Sequence, residues 1–441
     1  MVEVSQLAKT EASCHVSIAI QNDCTSIKQK LNLPWTIPER KILRVPHQLL
    51  KVNEKAYEPY VISIGPYHRG KDHLKEMEGY KVQSLNGLLQ STNQNVETYL
   101  SGIDKNMVKN VRNSYSEPFE ISDREFVEMM VLDGCFIIQF FMGNLKDFYY
   151  RSLFNTSILH DLALVENQLP FFVLCKLLDI IPETFFKLEG STDPKSWFIS
   201  QILGKFEDDM PGLRVDKNYD DNSFKNVKHI GLLLLSNWLP SEKAMDEYQK
   251  RPKDGEWKFI RSATELREAG IDFKKADTRG NEKRSLFDIK FEKGTLEMPT
   301  VRIDDSTESL YRNLIVCEQF NIRSTTFLTD YQVLMDSLIN SGKDVELLCK
   351  SGIIDNWLGN DEAVAVLFNR LGDHIDLDEK YFFYAQLFKD VNEHYEKPWN
   401  TWKANLRHKY FNTPWAFVSF LAATLLLLLT VLQTIFTIFL E

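Results

Sequence analysis

Apolar positions recur every three to four residues over much of the chain, which is the period of an α-helix with one buried face. Ser122 and Glu125 are spaced as in a capping box, in which both side chains pair with the first amides of a helix. An apolar helix is therefore predicted from Phe126 to Met142, with Gly143 at its end. A second, amphipathic helix is predicted before residue 90, with charges on one face and apolar residues on the other. Its apolar face consists of Leu74, Met77, Leu85 and Leu88.

The stretch from Leu159 to Leu178 is apolar on nearly all sides. Asn167, Gln168 and Pro170 interrupt it, and proline lacks the amide that continues a helix. The pattern predicts two buried helical pieces joined at a kink. Further helices are predicted over 229–240, 306–320, 328–340, 344–358 and 361–371.

A period of two appears in the middle of the chain. From Phe287 to Phe291 apolar residues alternate with charged ones, and the Lys293-Gly294 pair that follows is a turn signal. The predicted fold class is mainly α (α+β), a large helical domain with a small antiparallel β-hairpin or sheet near 271–303.

The C-terminal end carries no charge from Phe417 to Leu440. At about 1.5 Å per residue, a helix over this stretch is about 36 Å long, enough for a hydrocarbon core of about 30 Å. The sequence predicts one transmembrane helix over 415–440, in contact with the lipid bilayer. A buried core helix is the alternative, although such runs are usually shorter and have a polar face. The predicted anchor residues are Trp415, Phe417, Leu425, Leu429, Ile435 and Leu440.

The predicted orientation places the large domain, residues 37–409, on the cytosolic side of the membrane. Only Glu441 follows the span, so insertion is expected after the ribosome releases the chain. Basic residues before the span agree with the positive-inside rule. The sequence leaves open whether the membrane is the plasma membrane or an endomembrane, and residues 1–36 are predicted to be a loosely ordered leader. The basic residues are Lys397, Lys403, Arg407 and Lys409.

Composition narrows the class of protein. The 441 residues are 44% hydrophobic and 26% charged, as in ordinary globular proteins. A formal net charge of -10 disfavours nucleic-acid binding, which uses a basic surface. The 6 cysteines are scattered, which favours a reduced cytosolic compartment over a disulfide framework. Cys135 and Cys175, in apolar surroundings, are predicted to pack in the core.

Chemical motifs are few. The sequence has no Gly-rich phosphate loop, nucleophile elbow or HExxH motif, and no cofactor is expected. His68, Asp72 and His73 are not spaced as metal ligands on one helical face, so no metal is predicted.

Glu166 is the strongest candidate for a catalytic group. A carboxylate in an apolar run can have a raised pKa and act as an acid or base, with His47, His68 or His229 brought near by folding. Glu166 and His68 are the candidate residues. The alternative is a structural glutamate, bonded to its neighbours or to a helix end. The same two interpretations apply to two further acids, Asp133 and Asp161.

Several segments resemble the plant-specific family called domain of unknown function 247, in that family's order and over roughly Ile42 to the C-terminus. Arg69 departs from the pattern, since members often have a second histidine there. The resemblance implies a C-terminal hydrophobic segment but no reaction, cofactor or site residue. Some grass members are implicated as pollen-side recognition factors in self-incompatibility. The similar segments are 61–70, 133–141, 161–178, 263–274, 285–319 and 335–371.

The functional prediction is a single-pass, tail-anchored membrane protein whose cytosolic domain recognises unknown protein partners or signals, without evident catalysis. Trp357 and the aromatic residues at 381–384 are either a partner surface or core packing. The alternative function is a membrane-tethered hydrolase or transferase that uses Glu166 with a histidine. A third alternative is a homo-oligomer, in which the small residues Ser419, Ala422 and Ala423 allow close helix approach.

Overall fold

Helices dominate the structure of the chain, a computed structural model that describes residues 42–143, 151–186, 193–215, 227–252, 255–276, 285–321, 326–397 and 414–440. Within these ranges, the side chains of 151–153, 414–417 and 437–440 are not described. The predicted fold class, mainly helical with a small sheet and an apolar C-terminal helix, is confirmed. The leader predicted at 1–36 and the basic residues from Lys403 to Lys409 lie outside the described ranges.

The helices are numbered in chain order. In the first half they are α1 (His47–Leu50), α2 (Glu76–Thr92), α3 (Val96–Ser101), α4 (Lys105–Asn113), α5 (Asp123–Phe141), α6 (Arg151–Ala163), α7 (Phe171–Leu178) and α8 (Pro194–Phe206). In the second half they are α9 (Ile230–Asn237), α10 (Glu242–Lys250), α11 (Ala263–Glu268), α12 (Thr307–Gln319), α13 (Phe327–Leu338), α14 (Gly342–Lys350), α15 (Asp361–Leu371), α16 (Ala385–Tyr395) and α17 (Pro414–Leu440). Short 3-10 turns cover Glu54–Tyr57, Asp72–Leu74 and Glu183–Phe185.

Helix α5 is the buried centre of the first half. The predicted capping box is formed, because the Glu125 amide donates to Ser122 Oγ and the Ser122 amide donates to the Glu125 carboxylate. Gly143 follows the helix with φ of 70°, a left-handed conformation that suits glycine. Helix α2 packs along α5 and buries its predicted apolar face.

The connection between α6 and α7 differs from the predicted kink. Residues 164–170 leave the helix altogether, because polar side chains there bond the backbone. The Gln168 amide group donates to the carbonyl oxygens of Leu162 at 2.7 Å and Leu164 at 2.8 Å. The two helices are therefore separated by an irregular buried segment.

Two small sheets in the described part of the chain contain the strands β1 (Asp272–Lys275), β2 (Lys290–Glu292), β3 (Thr295–Met298), β4 (Val301–Ile303) and β5 (Ile354–Asn356). The predicted hairpin at Lys293-Gly294 is confirmed, since β2 pairs antiparallel with β3. The sheet is mixed, however, because β1 pairs parallel with the other edge of β3. Alternation predicts a strand but not the direction of its partner. Strands β4 and β5 form a separate parallel pair.

A single hydrophobic core joins residues of both halves of the chain. Of the predicted core cysteines, Cys135 is fully buried and Cys175 is half-buried against the core. A smaller apolar cluster lies under the segment that precedes α2. It contains Val45, Leu49, Ala56, Tyr57, Val165, Val316 and Cys317.

Helix α17 is long and apolar enough to cross a membrane over Val418–Phe436, where the mean hydropathy is 2.2. No residue of this window is buried, so the alternative of a core helix is wrong. The hydroxyls of Thr424, Thr430 and Thr434 each donate to the carbonyl oxygen four residues earlier at 2.8 Å, which satisfies them without water. Of the predicted anchor residues, Leu425, Leu429 and Ile435 are exposed, and the side chains of Trp415, Phe417 and Leu440 are not described.

Candidate functional site

Glu166 lies at the floor of a cleft of about 400 Å³. Glu166 belongs to the irregular segment between α6 and α7, and it faces Arg44 and Val45 in the segment that leads into α1. Of the three histidines predicted as partners, His68 and His47 line this cleft, while His229 is buried at the start of α9 and does not line it. The cleft is lined by Arg44, Val45, Pro46, His47, Leu50, Glu54, Tyr57, Glu58, His68, Lys71, Glu117 and Glu166.

Both carboxylate oxygens of Glu166 are engaged. The Val45 amide donates to Oε1 at 2.7 Å, and Arg44 Nη1 donates to Oε2 at 2.8 Å. Arg44 also stacks over the Tyr67 ring at 4.2 Å and lies 3.6 Å from a Glu117 carboxylate oxygen. These contacts join Glu166 to the segment before α1, with partners distant in the sequence and not its neighbours.

His68 is the unusual group of the cleft. Only 4% of the residue is exposed, and neither ring nitrogen has a hydrogen-bond partner among the described residues. Nε2 lies 3.5 Å from Glu166 Oε2, at the limit of a contact. Burial, with the nearby charges of Lys71 and Arg44, lowers the pKa of His68 to about 3. The imidazole is therefore neutral at physiological pH and offers one acceptor and one donor to the cleft.

Asp161, the second predicted acid, is a backbone anchor. Its carboxylate accepts the amides of Tyr60, Val61 and Ile62 at 2.7, 2.8 and 2.9 Å. The residue has no exposed surface. These bonds hold the extended segment that ends at His68.

Asn167 and Gly65 complete the junction of the two segments. The Ile64 amide donates to Asn167 Oδ1 at 2.7 Å, and Asn167 Nδ2 donates to the Ile62 carbonyl oxygen at 3.0 Å. Gly65 has φ of 73°, and a Cβ there would lie 2.7 Å from the Gln168 carbonyl oxygen. Only glycine fits this turn, which directs the chain to His68.

Asp133, the third predicted acid, forms a buried ion pair. Lys81 Nζ lies 2.8 Å from its Oδ1, and their side chains are 2% and 1% exposed. The Gly65 amide donates to the other oxygen at 2.8 Å. Asp133 therefore has a structural role, because it holds both Lys81 and the turn at Gly65.

A Ser-His-Asp arrangement occurs at α6 and α12, but it is closed. His160 Nε2 lies 2.7 Å from Ser309 Oγ, and Nδ1 lies 2.9 Å from Asp161 Oδ1. Ser309 is 3% exposed and donates its hydroxyl to the Ala56 carbonyl oxygen at 2.6 Å. The adjacent cavity is only about 20 Å³, so a substrate carbonyl does not reach the hydroxyl.

The aromatic residues predicted as a partner surface or as core divide between the two. Phe382, Phe383 and Tyr384 are buried, whereas Trp357 is 67% exposed and Tyr381 is 51% exposed. The Trp357 ring lies 5.4 Å from the Arg302 guanidinium, and its Nε1 donates to Asp355 Oδ2 at 2.8 Å. Core packing thus accounts for Phe382, Phe383 and Tyr384, whereas the side chains of Trp357 and Tyr381 are exposed to solvent.

Among the described residues, no group of three or more His, Cys, Asp or Glu side chains could hold a metal ion. His73 Nε2 lies 3.1 Å from the Pro59 carbonyl oxygen. Sequence reasoning missed Arg44 and Lys81, the cations that pair with Glu166 and Asp133. Neither has a local sequence signal, because each pairing joins distant parts of the chain.

The raised pKa values of two buried acids, Glu318 and Asp330, make the stability of the fold depend on pH. The Glu318 carboxylate accepts the amides of Leu328 and Thr329, yet burial raises its pKa to about 7, and burial also raises the pKa of Asp330 well above its ordinary value. The folded state thus holds the Glu318 proton more tightly than the unfolded chain. We expect the free energy of unfolding to fall by about 3 kcal/mol as pH rises from the ordinary glutamate pKa to about 7.

Urea denaturation of the full chain between pH 4.5 and 8 measures this fall. Glu318→Gln should flatten the profile, whereas Glu97→Gln, an exposed control in α3, should leave it unchanged. A profile that is equally steep in both variants would contradict the assignment to Glu318.

Comparisons with known proteins agree on one group. A family model described as DUF247, plant protein of unknown function, matches residues 42–429. The chain is 30% identical to a UPF0481 protein of Arabidopsis thaliana, over 89% of this chain and 85% of that protein. It is 26% identical to a putative UPF0481 protein of the same plant, over 89% of each. No solved structure matches the chain.

Proposed function

Since this chain belongs to the DUF247 family of plant proteins of unknown function, we propose its function from its own geometry: a non-catalytic recognition module that helix α17 anchors in a membrane. The observation that carries the proposal is the exposed, uncharged surface of α17 over Val418–Phe436. An apolar helix of this length loses its contact with water when it enters a bilayer. Lipid is thus the natural environment of this surface.

The domain faces the cytosol in this proposal. Basic residues precede the span, and an excess of Lys and Arg marks cytoplasmic flanks. The described cysteines form no disulfide, as is usual for proteins of that compartment. The flanking residues are Lys397, Lys403, Arg407 and Lys409.

A role in recognition is favoured because two candidate reactive groups, the Glu166 carboxylate and the Ser309 hydroxyl, are already engaged. Glu166 is bonded to Arg44 and the Val45 amide, and Ser309 is closed to substrate. Exposed aromatic side chains, in contrast, are groups that protein partners bury. We propose that Trp357 and Tyr381 each contact protein partners.

Deletion of residues 415–441 tests the anchor. We expect the full chain to stay with membranes after alkaline carbonate extraction and the truncated chain to be released. A matched control keeps the full length and replaces Leu425 and Leu429 with Arg. Each charge at the centre of a span costs about 2.5–3.5 kcal/mol, so this variant should also be released. Retention of the truncated chain on membranes would contradict the anchor.

Microsomal membranes that contain the full chain can also show on which side the N-terminal domain lies. Protease added to intact microsomes should digest an epitope at the N-terminus of the full chain. Asn155-Thr156-Ser157 is an N-glycosylation sequon. Protection of the epitope, together with glycan attachment at Asn155, would place the domain in the lumen instead.

A second candidate is a membrane-tethered hydrolase or transferase. It is favoured by one distance, the 3.5 Å between His68 Nε2 and Glu166 Oε2 in an open cleft. A neutral imidazole beside a carboxylate can accept a proton from a substrate. Here, however, Arg44 and Val45 hold the carboxylate, so this function needs a rearrangement that the recognition role does not need.

A further inference from the structure

We propose that helix α17 pairs in parallel with the same helix of a second copy of this chain, through a seam that the Gln433 carboxamide holds together. This inference rests on the membrane anchor proposed above, because the seam lies within the spanning window Val418–Phe436. It adds to that anchor a partner and the surface that binds it. The seam consists of Ser419, Ala423, Leu426, Thr430 and Gln433.

The seam differs in composition from the opposite face of the helix. Its residues follow one another at alternating intervals of four and three, the spacing with which two helices pack side by side. All are small or polar except Leu426, and such residues let membrane helices approach closely. Ala422, which the sequence prediction included, flanks this seam. The opposite face, at 100° per residue, carries the large aliphatic residues Leu421, Leu425, Leu428, Leu432 and Ile435.

Gln433 has the strongest need of polar partners in the spanning window. It is six positions from Leu427, the middle of the window, and thus about 9 Å from the centre of a hydrocarbon core whose half-thickness is about 15 Å. Threonine hydroxyls bond the preceding turn of the helix, but a carboxamide has two N–H donors and an acceptor oxygen. The backbone amides of a helix already donate to its own carbonyl oxygens, so the helix does not supply all three partners.

A second copy of the chain is the occupant that supplies them. A copy inserted in the same direction places its own Gln433 at the same depth, and two facing carboxamides can each donate and accept a hydrogen bond. A twofold interface needs this self-complementarity. The Thr430 hydroxyl, which donates to the Leu426 carbonyl oxygen at 2.8 Å, keeps lone pairs that can accept a further N–H of the facing copy.

Cysteine cross-linking of the full chain in membranes tests which face pairs. Leu426 lies on the seam and Leu428 on the opposite face, so Leu426→Cys and Leu428→Cys change the same residue type at about the same depth. We expect a membrane-permeant oxidant to form at least fivefold more covalent dimer of Leu426→Cys than of Leu428→Cys. The natural chain gives the background of its own 6 cysteines. Equal yields from the two variants, or a larger yield from Leu428→Cys, would overturn the seam.

Gln433→Leu tests the carboxamide. Energy transfer between full chains that carry a donor or an acceptor fluorophore, reconstituted in phosphatidylcholine vesicles at several protein-to-lipid ratios, measures association. We expect this variant to associate about three- to tenfold more weakly, the effect of one hydrogen bond between membrane helices, and Gln433→Asn to recover most of the loss. Thr424→Leu removes a polar group outside the seam and should leave association unchanged. Unchanged association of Gln433→Leu, or equal weakening by Thr424→Leu, would reject the role of the carboxamide.

Carbonate extraction of the same membranes separates failure of the seam from failure of the anchor. Leucine makes the span more apolar, so Gln433→Leu should stay in the membrane as the natural chain does. Release of the natural chain would contradict the anchor, and the seam with it. Retention of the natural chain, combined with no Leu426→Cys dimer above background, would overturn the seam and leave the anchor in place.

Discussion

Replacing Lys81 with Met should lower the free energy of unfolding by about 3–5 kcal/mol, the usual cost of leaving a buried charge without its partner. Asp133 is 1% exposed, and Lys81 is the cation paired with it. Met fills much of the volume of the lysine stem, so the loss reports the ammonium group and not a cavity. This is the largest effect expected of a single change in the domain.

The ammonium group of Lys81 also holds the turn above it. Nζ donates to the Ser63 carbonyl oxygen at 2.6 Å and to Glu78 Oε1 at 2.6 Å. Ser63 lies in the segment that leads to Gly65 and His68. We therefore expect Lys81→Met to loosen the cleft as well as to destabilise the domain.

Urea denaturation of the full chain measures the loss, with Lys75→Met as the matched control. Lys75 pairs with Asp72 at 2.6 Å, but the side chains of both are mostly exposed, and such pairs contribute little. The double variant Lys81→Met, Asp133→Leu should recover part of the stability, because no buried charge is left behind. Equal losses in the two Met variants would contradict the importance of burial.

Replacing Asp161 with Ala should cost about 4 kcal/mol, since each buried donor left without an acceptor costs about 1–3 kcal/mol. Three consecutive amides, those of Tyr60, Val61 and Ile62, lose their acceptor at once. His160 loses the partner of its Nδ1 in the same change. The loss of structure should be confined to the extended segment around residues 60–62, and helix α5 should stay folded.

Hydrogen exchange locates this damage. In the Ala variant the amides of residues 60–62 should exchange faster, relative to the amides of α5, than in the natural chain. Asp161→Asn keeps one acceptor oxygen and a similar shape, and it should lose less stability than the Ala variant. Protected amides at 60–62 in the Ala variant would show that Asp161 does not hold them.

Local periodicity was sufficient to predict most helices and the hairpin, because these depend on residues close in sequence. Lys81 shows its limit. The apolar face predicted for α2 did not include this residue, yet it is buried, since Asp133 on the facing helix supplies a counter-charge. Strand β5 was missed for a similar reason: its partner β4 is about fifty residues away and no local turn joins them.

The candidate site was predicted in part. The apolar setting of Glu166 identified a buried carboxylate, and His68 is indeed its neighbour. The sequence did not indicate that Arg44 and the Val45 amide occupy both carboxylate oxygens. These contacts join residues more than a hundred positions apart, and nothing in the spacing of either segment specifies the other.

The junction between the segment of residues 60–68 and that of residues 161–168 determines the order in which the domain can fold. Its hydrogen bonds join residues 99 to 105 positions apart, so a loop of that size must close before they form. Helices α2 and α5 lie inside this loop and need only local contacts to begin. During synthesis, the hydrogen bonds that fix the segment before His68 cannot form until residue 168 has left the ribosome. We therefore expect the cleft to form late in folding.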